Sequence, residues 1–93
     1  MELEELSVNW YDDNGELVVE ELDKFILSKG AWSTVVYLFR EKGRNGEFGE
    51  KKVRLVRYQK RGGAYKIHSK FNITGEKQVK QLVEKLNEWF DLK

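Results

Sequence analysis

Two short turn signals, Asn14-Gly15 and Gly62-Gly63, each stand between runs rich in β-branched and aromatic residues. These residue types tolerate the positive φ of a type I′ turn, so each pair reads as the tip of a hairpin. Two residues suffice to join antiparallel strands, whereas parallel strands need a crossover of a dozen residues or more. Further turn signals at Lys29-Gly30 and across Gly43–Gly49 divide the rest of the chain, and there is no proline. The sequence therefore predicts an α+β fold in a single domain, 1–93. An antiparallel β-sheet meander of five to six strands comes first, followed by one C-terminal helix packed on the sheet.

The first hairpin is the acidic segment 1–23. Leu6, Val8 and Trp10 alternate with polar residues, then the chain turns and returns through Leu17-Val18-Val19. A type I′ turn there sets Trp10 opposite Val19 and Tyr11 opposite Val18. Glu20, Glu21 and Asp23 mark the end of that hairpin or a bend. The antiparallel sheet then occupies 24–73. Its strands are Lys24–Ser28, Trp32–Glu41, Lys52–Lys60 and Ala64–Ile73. The second is bulky on both faces and is placed centrally. Within the basic hairpin 51–70, Arg61 faces Ala64, Tyr58 faces Ile67 and Arg57 faces His68. The alternation shifts between Val53/Leu55 and Val56/Tyr58, which predicts a bulge. Tyr65, Ile67, Phe71 and Ile73 alternate as a core face would.

Thr74 is the expected N-cap of a helix over 75–91. Apolar residues at 79, 82, 83, 86, 89 and 90 recur at spacings of three and four, which makes one stripe. Trp89 and Phe90 extend it to the end, as core or as a surface for self-association.

Charge is the second constraint. The net charge of +1 conceals a split. Residues 1–25 sum to −8 and residues 26–93 to +9. Residues 51–70 hold eight Lys/Arg and no acid. Lysine on surface strands blocks edge pairing, but that explanation expects both signs. Here Tyr58, Tyr65 and Phe71 are interleaved with the bases. Rings that stack on bases beside cations that hold phosphates are how open sheets bind single strands.

Several chemistries are disfavoured. There is no cysteine, which excludes disulfides and thiolate metal sites and fits a reducing compartment. No apolar run approaches the ~20 residues of a membrane span. The N-terminus is acidic and unlike a signal peptide. A soluble, cytoplasmic protein is expected. Asp12-Asp13-Asn14-Gly15 mimics part of a calcium loop, but Trp10 stands where the first acid belongs and strands flank it. The glycines of Gly43–Gly49 lack the Gly-Lys-Ser/Thr ending of a phosphate loop. With one histidine, no cysteine and no serine in a nucleophile-elbow context, no enzyme, cofactor or metal is expected.

Three segments carry a resemblance. Lys24-Phe25-Ile26-Leu27-Ser28-Lys29-Gly30 is similar to the first basic strand and turn of the positive cofactor 4-like single-stranded-DNA-binding family of transcriptional coactivators. Trp32-Ser33-Thr34-Val35-Val36-Tyr37-Leu38-Phe39-Arg40-Glu41 resembles its apolar strand. Lys70-Phe71-Asn72-Ile73-Thr74-Gly75-Glu76-Lys77-Gln78 resembles its entry into the C-terminal helix. The resemblance spans 24–93. It implies a curved sheet plus helix, a homodimer, and single-stranded DNA along the sheet. Lys29, Trp32 and Arg40 would be strand-binding positions and Lys70 a backbone contact. The chain departs from the pattern in its longer basic hairpin and in the acidic hairpin that precedes it.

The expected function is a non-enzymatic module for single-stranded DNA or RNA. Lys52, Arg54, Arg57, Lys60, Arg61, Lys66 and Lys70 hold phosphates; Tyr58 and Trp32 stack on bases; His68 is either a contact or an ordinary strand residue. Dimerisation through the helix is expected. The competing expectation is a protein-interaction module that offers the basic hairpin or a strand edge to an acidic partner. The acidic N-terminal hairpin is either a solvated edge or a competitor of phosphate.

Overall fold

The computed structural model describes residues 2–92. Trp32–Glu41, β3, is the strand around which the rest assembles. Its odd positions Ser33, Val35, Tyr37 and Phe39 are fully buried, and its even positions Thr34, Val36, Leu38 and Arg40 are half-buried. Period-two burial of this kind follows from side chains alternating across the pleat. β1 (Trp10–Tyr11) and β2 (Leu17–Ser28) precede it; β4 (Lys52–Arg61) and β5 (Ala64–Thr74) follow. All pairings are antiparallel and the order is β1-β2-β3-β4-β5. This α+β meander curls into a half-barrel, and the helix α1 (Glu76–Phe90) follows.

The inner face holds the core: Val35 and Tyr37 of β3, Val56 and Tyr58 of β4, and Leu3 from the N-terminal segment. Leu6, Val8, Ile26 and Tyr65 pack around them. Residues Leu3–Glu5 form a short 3-10 turn, closed by reciprocal hydrogen bonds between Glu2 and Glu5. Only Trp10 and Tyr11 pair as strand, so the expected strand from Leu6 to Trp10 is mostly an irregular segment lying across the inner face. Leu3, which the sequence reading left outside the core, is buried completely.

Three local expectations are corrected. First, the β1–β2 loop is not a type I′ turn. Gly15 alone has positive φ, at 80°, and the loop runs Asp12–Glu16. Asp12 Oδ1 accepts from the Asn14 and Glu16 amides at 2.9 and 3.0 Å, replacing the tight turn with an Asx turn. Trp10 faces Val19 as expected, but Tyr11 faces Leu17 rather than Val18. Second, the acids at 20–23 do not end a strand. β2 runs through them, bending at two irregularities, Glu21/Asp23 and Ile26/Ser28. The second hairpin is type I′ as expected, with φ of 56° and 82° at Gly62 and Gly63. Third, its bulge falls between Arg57 and Tyr58. Tyr58 faces Ile67 and Arg61 faces Ala64, while Arg57 faces Ser69 rather than His68. That extra residue splits the expected core row. Ile67 and Tyr65 share the inner face, whereas Phe71 and Ile73 lie on the outer one.

The helix also departs from expectation. Thr74 is the last residue of β5, and Gly75, at φ 93°, takes the N-cap position without a side-chain cap. One residue therefore joins β5 to α1, and the helix projects from the strand's end instead of folding back over the sheet. Only its first turn, at Val79, approaches Leu38 and Val53 across a shallow groove. No residue of α1 is buried; Trp89 is 67% and Phe90 69% exposed. The radius of gyration, 15.2 Å, reflects the projection, since a compact domain of this length has about 12 Å. The outer face of the sheet is equally uncovered. Phe25, Val36, Leu55 and Phe71 face one another in a row across β2 to β5, and both phenylalanines are exposed.

Candidate nucleic-acid interface

A meander places alternate turns at opposite ends of its sheet. The β2–β3 and β4–β5 turns share one end; the β1–β2 and β3–β4 loops share the other. This sorts the charges. The first end gathers Lys29, Arg57, Lys60, Arg61 and Lys66, and neither 26–33 nor 57–68 contains an acid. The other end holds Asp12, Asp13, Glu16, Glu20, Glu41, Glu47 and Glu50, mixed with bases. The sequence shows a difference between N-terminal and later residues; folding turns it into a polarity along the strands.

At the basic end Trp32 is the outer-face aromatic. It is 41% exposed, which leaves much of its ring open. His68 meets it edge-on with centroids 4.7 Å apart, and the Arg57 guanidinium lies 4.9 Å from the ring. The bulge explains the trio: the additional residue in β5 brings His68 toward Trp32 rather than opposite Arg57. Around the rim, Lys60 sits 5.4 Å from the Tyr65 ring, and Lys29, Gly30, Ala31, Lys60 and Tyr65 line a depression between the two turns. Cations over rings are held in place without being neutralised.

The remaining expected positions divide three ways. Arg54 and Lys70 lie further along the inner face. Arg54 stacks on Phe39 and donates to Asn72 Oδ1 at 2.8 Å. Arg40 and Lys52 sit at the opposite end, and each is paired. Arg40 Nε meets Glu20 Oε1 at 2.6 Å, and Lys52 meets Glu41. They are spent on holding neighbouring strands and do not join the basic cluster. Tyr58 is buried and is corrected as a stacking ring. Its inner-face position puts it in the core, where its hydroxyl meets that of Tyr37 at 2.8 Å. Burial raises the pKa of both phenols. Among the described residues, Lys52 is the only one of the eight cations in 51–70 within 4.0 Å of a carboxylate.

Two functional candidates escaped the sequence reading. Lys24 sends its ammonium across the inner face to the carbonyl oxygens of Leu3, Glu4 and Leu6. Glu4 reaches Lys29, with Oε2 3.5 Å from Nζ. Hydrogen bonding to its own backbone amide holds the Glu4 carboxyl below the usual carboxylate range; Lys29 and Lys24 add to this, and desolvation opposes it. The only available signal was an acidic run in which Leu3 stands outside the alternation of Leu6, Val8 and Trp10.

No group of three or more His, Asp or Glu side chains among the described residues is placed to hold a metal ion. No helix among them is long and apolar enough to cross a membrane. Comparison with protein-family models, curated proteins and solved structures gives no match.

Proposed function

We propose that this chain is a non-enzymatic module that binds single-stranded DNA or RNA; the positive cofactor 4-like resemblance implies single-stranded DNA. The observation that carries the reading is the end of the sheet where Lys29, Arg57, Lys60, Arg61 and Lys66 gather without an acid in the strands or turns there, and where Arg57 and His68 flank a part-exposed Trp32. Lys29, Lys60, Arg61 and Lys66 hold phosphates, and Trp32, steadied by Arg57 and His68, stacks on a base. The strand continues along the inner rim toward Arg54 and Lys70. Each stacked base contributes about 1–3 kcal/mol, and the phosphate contribution falls as salt rises. An acidic protein partner would use the same cations.

Two copies associate in this reading. A lone 15-residue helix is marginal in water, so α1 needs a cover for Leu82, Val83, Leu86, Trp89 and Phe90. The row Phe25, Val36, Leu55 and Phe71 needs one too. The test of function is fluorescence anisotropy with labelled single-stranded DNA, double-stranded DNA and RNA at low salt. Single strands bind best in this account; equal failure of all three would reject it.

A further inference from the structure

Residues 2–8 lie over the inner face without joining the strand ladder. Ladder pairing starts only at Trp10. What holds the segment is the buried Leu3, the partly buried Leu6 and Val8, and a set of polar ties. Lys24 gathers three carbonyls, Glu4 pairs with Lys29, and the Val8 amide donates to Glu21 Oε1 at 3.4 Å. A short segment with no ladder opens at lower cost than the paired strands beneath it. Among the described residues, Glu4 is also the one carboxylate within 4.0 Å of a cation of the basic end.

We propose that residues 2–8 form a displaceable acidic strap, which competes with single-stranded nucleic acid for Lys29 and Lys24 and opens the inner face when it leaves. The proposal rests on the nucleic-acid reading above. A phosphate that takes Lys29 removes the partner of Glu4 and sets two negative charges against each other. Release of Leu3 then uncovers the rings of Tyr37 and Tyr58, with Lys24 freed beside them and Arg54 and Lys70 on the same face. The bound strand gains a second stretch of aromatic and basic surface. The closed strap lowers apparent affinity by the fraction of molecules that are open.

Hydrogen exchange of the full chain, with and without excess oligothymidylate at low salt, tests this. Residues 57–68 should become protected, and residues 3–8 should exchange several-fold faster. Glu4→Gln should bind about two- to fivefold tighter, the range of an exposed ion pair. Glu47→Gln, an equal charge change in the β3–β4 loop, should bind much as the parent does. Leu3→Ala should bind tighter still, with its thermal melt checking the fold; if it fails to fold, Glu4→Gln carries the comparison. Protection at 57–68 with residues 3–8 unchanged, or equal gains from Glu4→Gln and Glu47→Gln, would overturn the strap alone. Absence of protection anywhere would overturn the nucleic-acid reading and the strap with it.

Discussion

The hydroxyls of Tyr37 and Tyr58 meet at 2.8 Å at the buried centre of the inner face, one from β3 and one from β4. Each is the other's hydrogen-bonding partner, so removing one orphans the other. An unsatisfied buried polar group costs about 1–3 kcal/mol, while replacing both partners by apolar groups is nearly neutral. Tyr37→Phe and Tyr58→Phe should each lower stability by that amount. The double variant should be destabilised by less than the sum. Urea unfolding of the four proteins measures the coupling.

The same pair sets the alkaline limit. Burial holds both phenols above their ordinary range. For Tyr37 the bond to Tyr58 adds to the rise, and for Tyr58 it works against it. A raised folded-state pKa means that the native state retains protons the unfolded chain has lost. The contribution is fully present below the unfolded value of about 10 and is lost as pH climbs above it. Stability should fall steeply above about pH 10, and less steeply in the double phenylalanine variant. Melting temperatures across pH 8–11 report the difference.

The helix makes a prediction about assembly. Its apolar stripe is open beyond the first turn, and the outer face of the sheet is open too. Leu82→Asp or Leu86→Asp should convert a dimer to a monomer in sedimentation equilibrium. Helical circular dichroism should fall with it, because a 15-residue helix without a partner is marginal. A wild-type chain that sediments as a monomer with full helicity would contradict this.

Trp32 separates binding from folding. It is 41% exposed and lies outside the core, so Trp32→Ala should leave the fold intact. Its loss should weaken oligonucleotide binding by about 1–3 kcal/mol, roughly five- to 150-fold. Trp32→Phe should retain most of the affinity. Calorimetric titration measures both.

How much of this was legible in the sequence varies by element. The meander was, because four turn signals and the short connections they imply leave consecutive strands little choice but to pair antiparallel. The Gly62-Gly63 hairpin was legible down to its register at Tyr58 and Arg61. Asn14-Gly15 misled because Asp12, two residues earlier, competes for the same amides and builds a longer loop. The exact place of the bulge was hidden, since Arg57 and His68 suit either face of a basic strand. That single residue decides that His68 joins Trp32 and that Phe71 lies outside. The helix was legible as a helix, but its stripe only says that it needs a cover and not which surface provides one. Competition with phosphate was one expectation for the acidic N-terminal hairpin, but the strap itself was hidden, because Leu6, Val8 and Trp10 read as a strand, Leu3 stands outside that alternation, and only the folded chain brings Glu4 to Lys29. The basic end emerged from topology, which brings residue 29 of the β2–β3 turn beside residues 57, 60 and 61 of β4 and 66 of β5.

The central claim is that these cations hold a phosphate backbone, and salt dependence measures it most directly. Anisotropy of a labelled single-stranded oligonucleotide, titrated from low to moderate salt, should give a straight line of log affinity against log salt. Lys60→Ala, Arg61→Ala and Lys66→Ala should each flatten its slope by about 0.7. Lys52→Ala, whose cation is already paired with Glu41, should change the slope much less. No binding at low salt, or slopes unaffected by all four substitutions, would contradict the account.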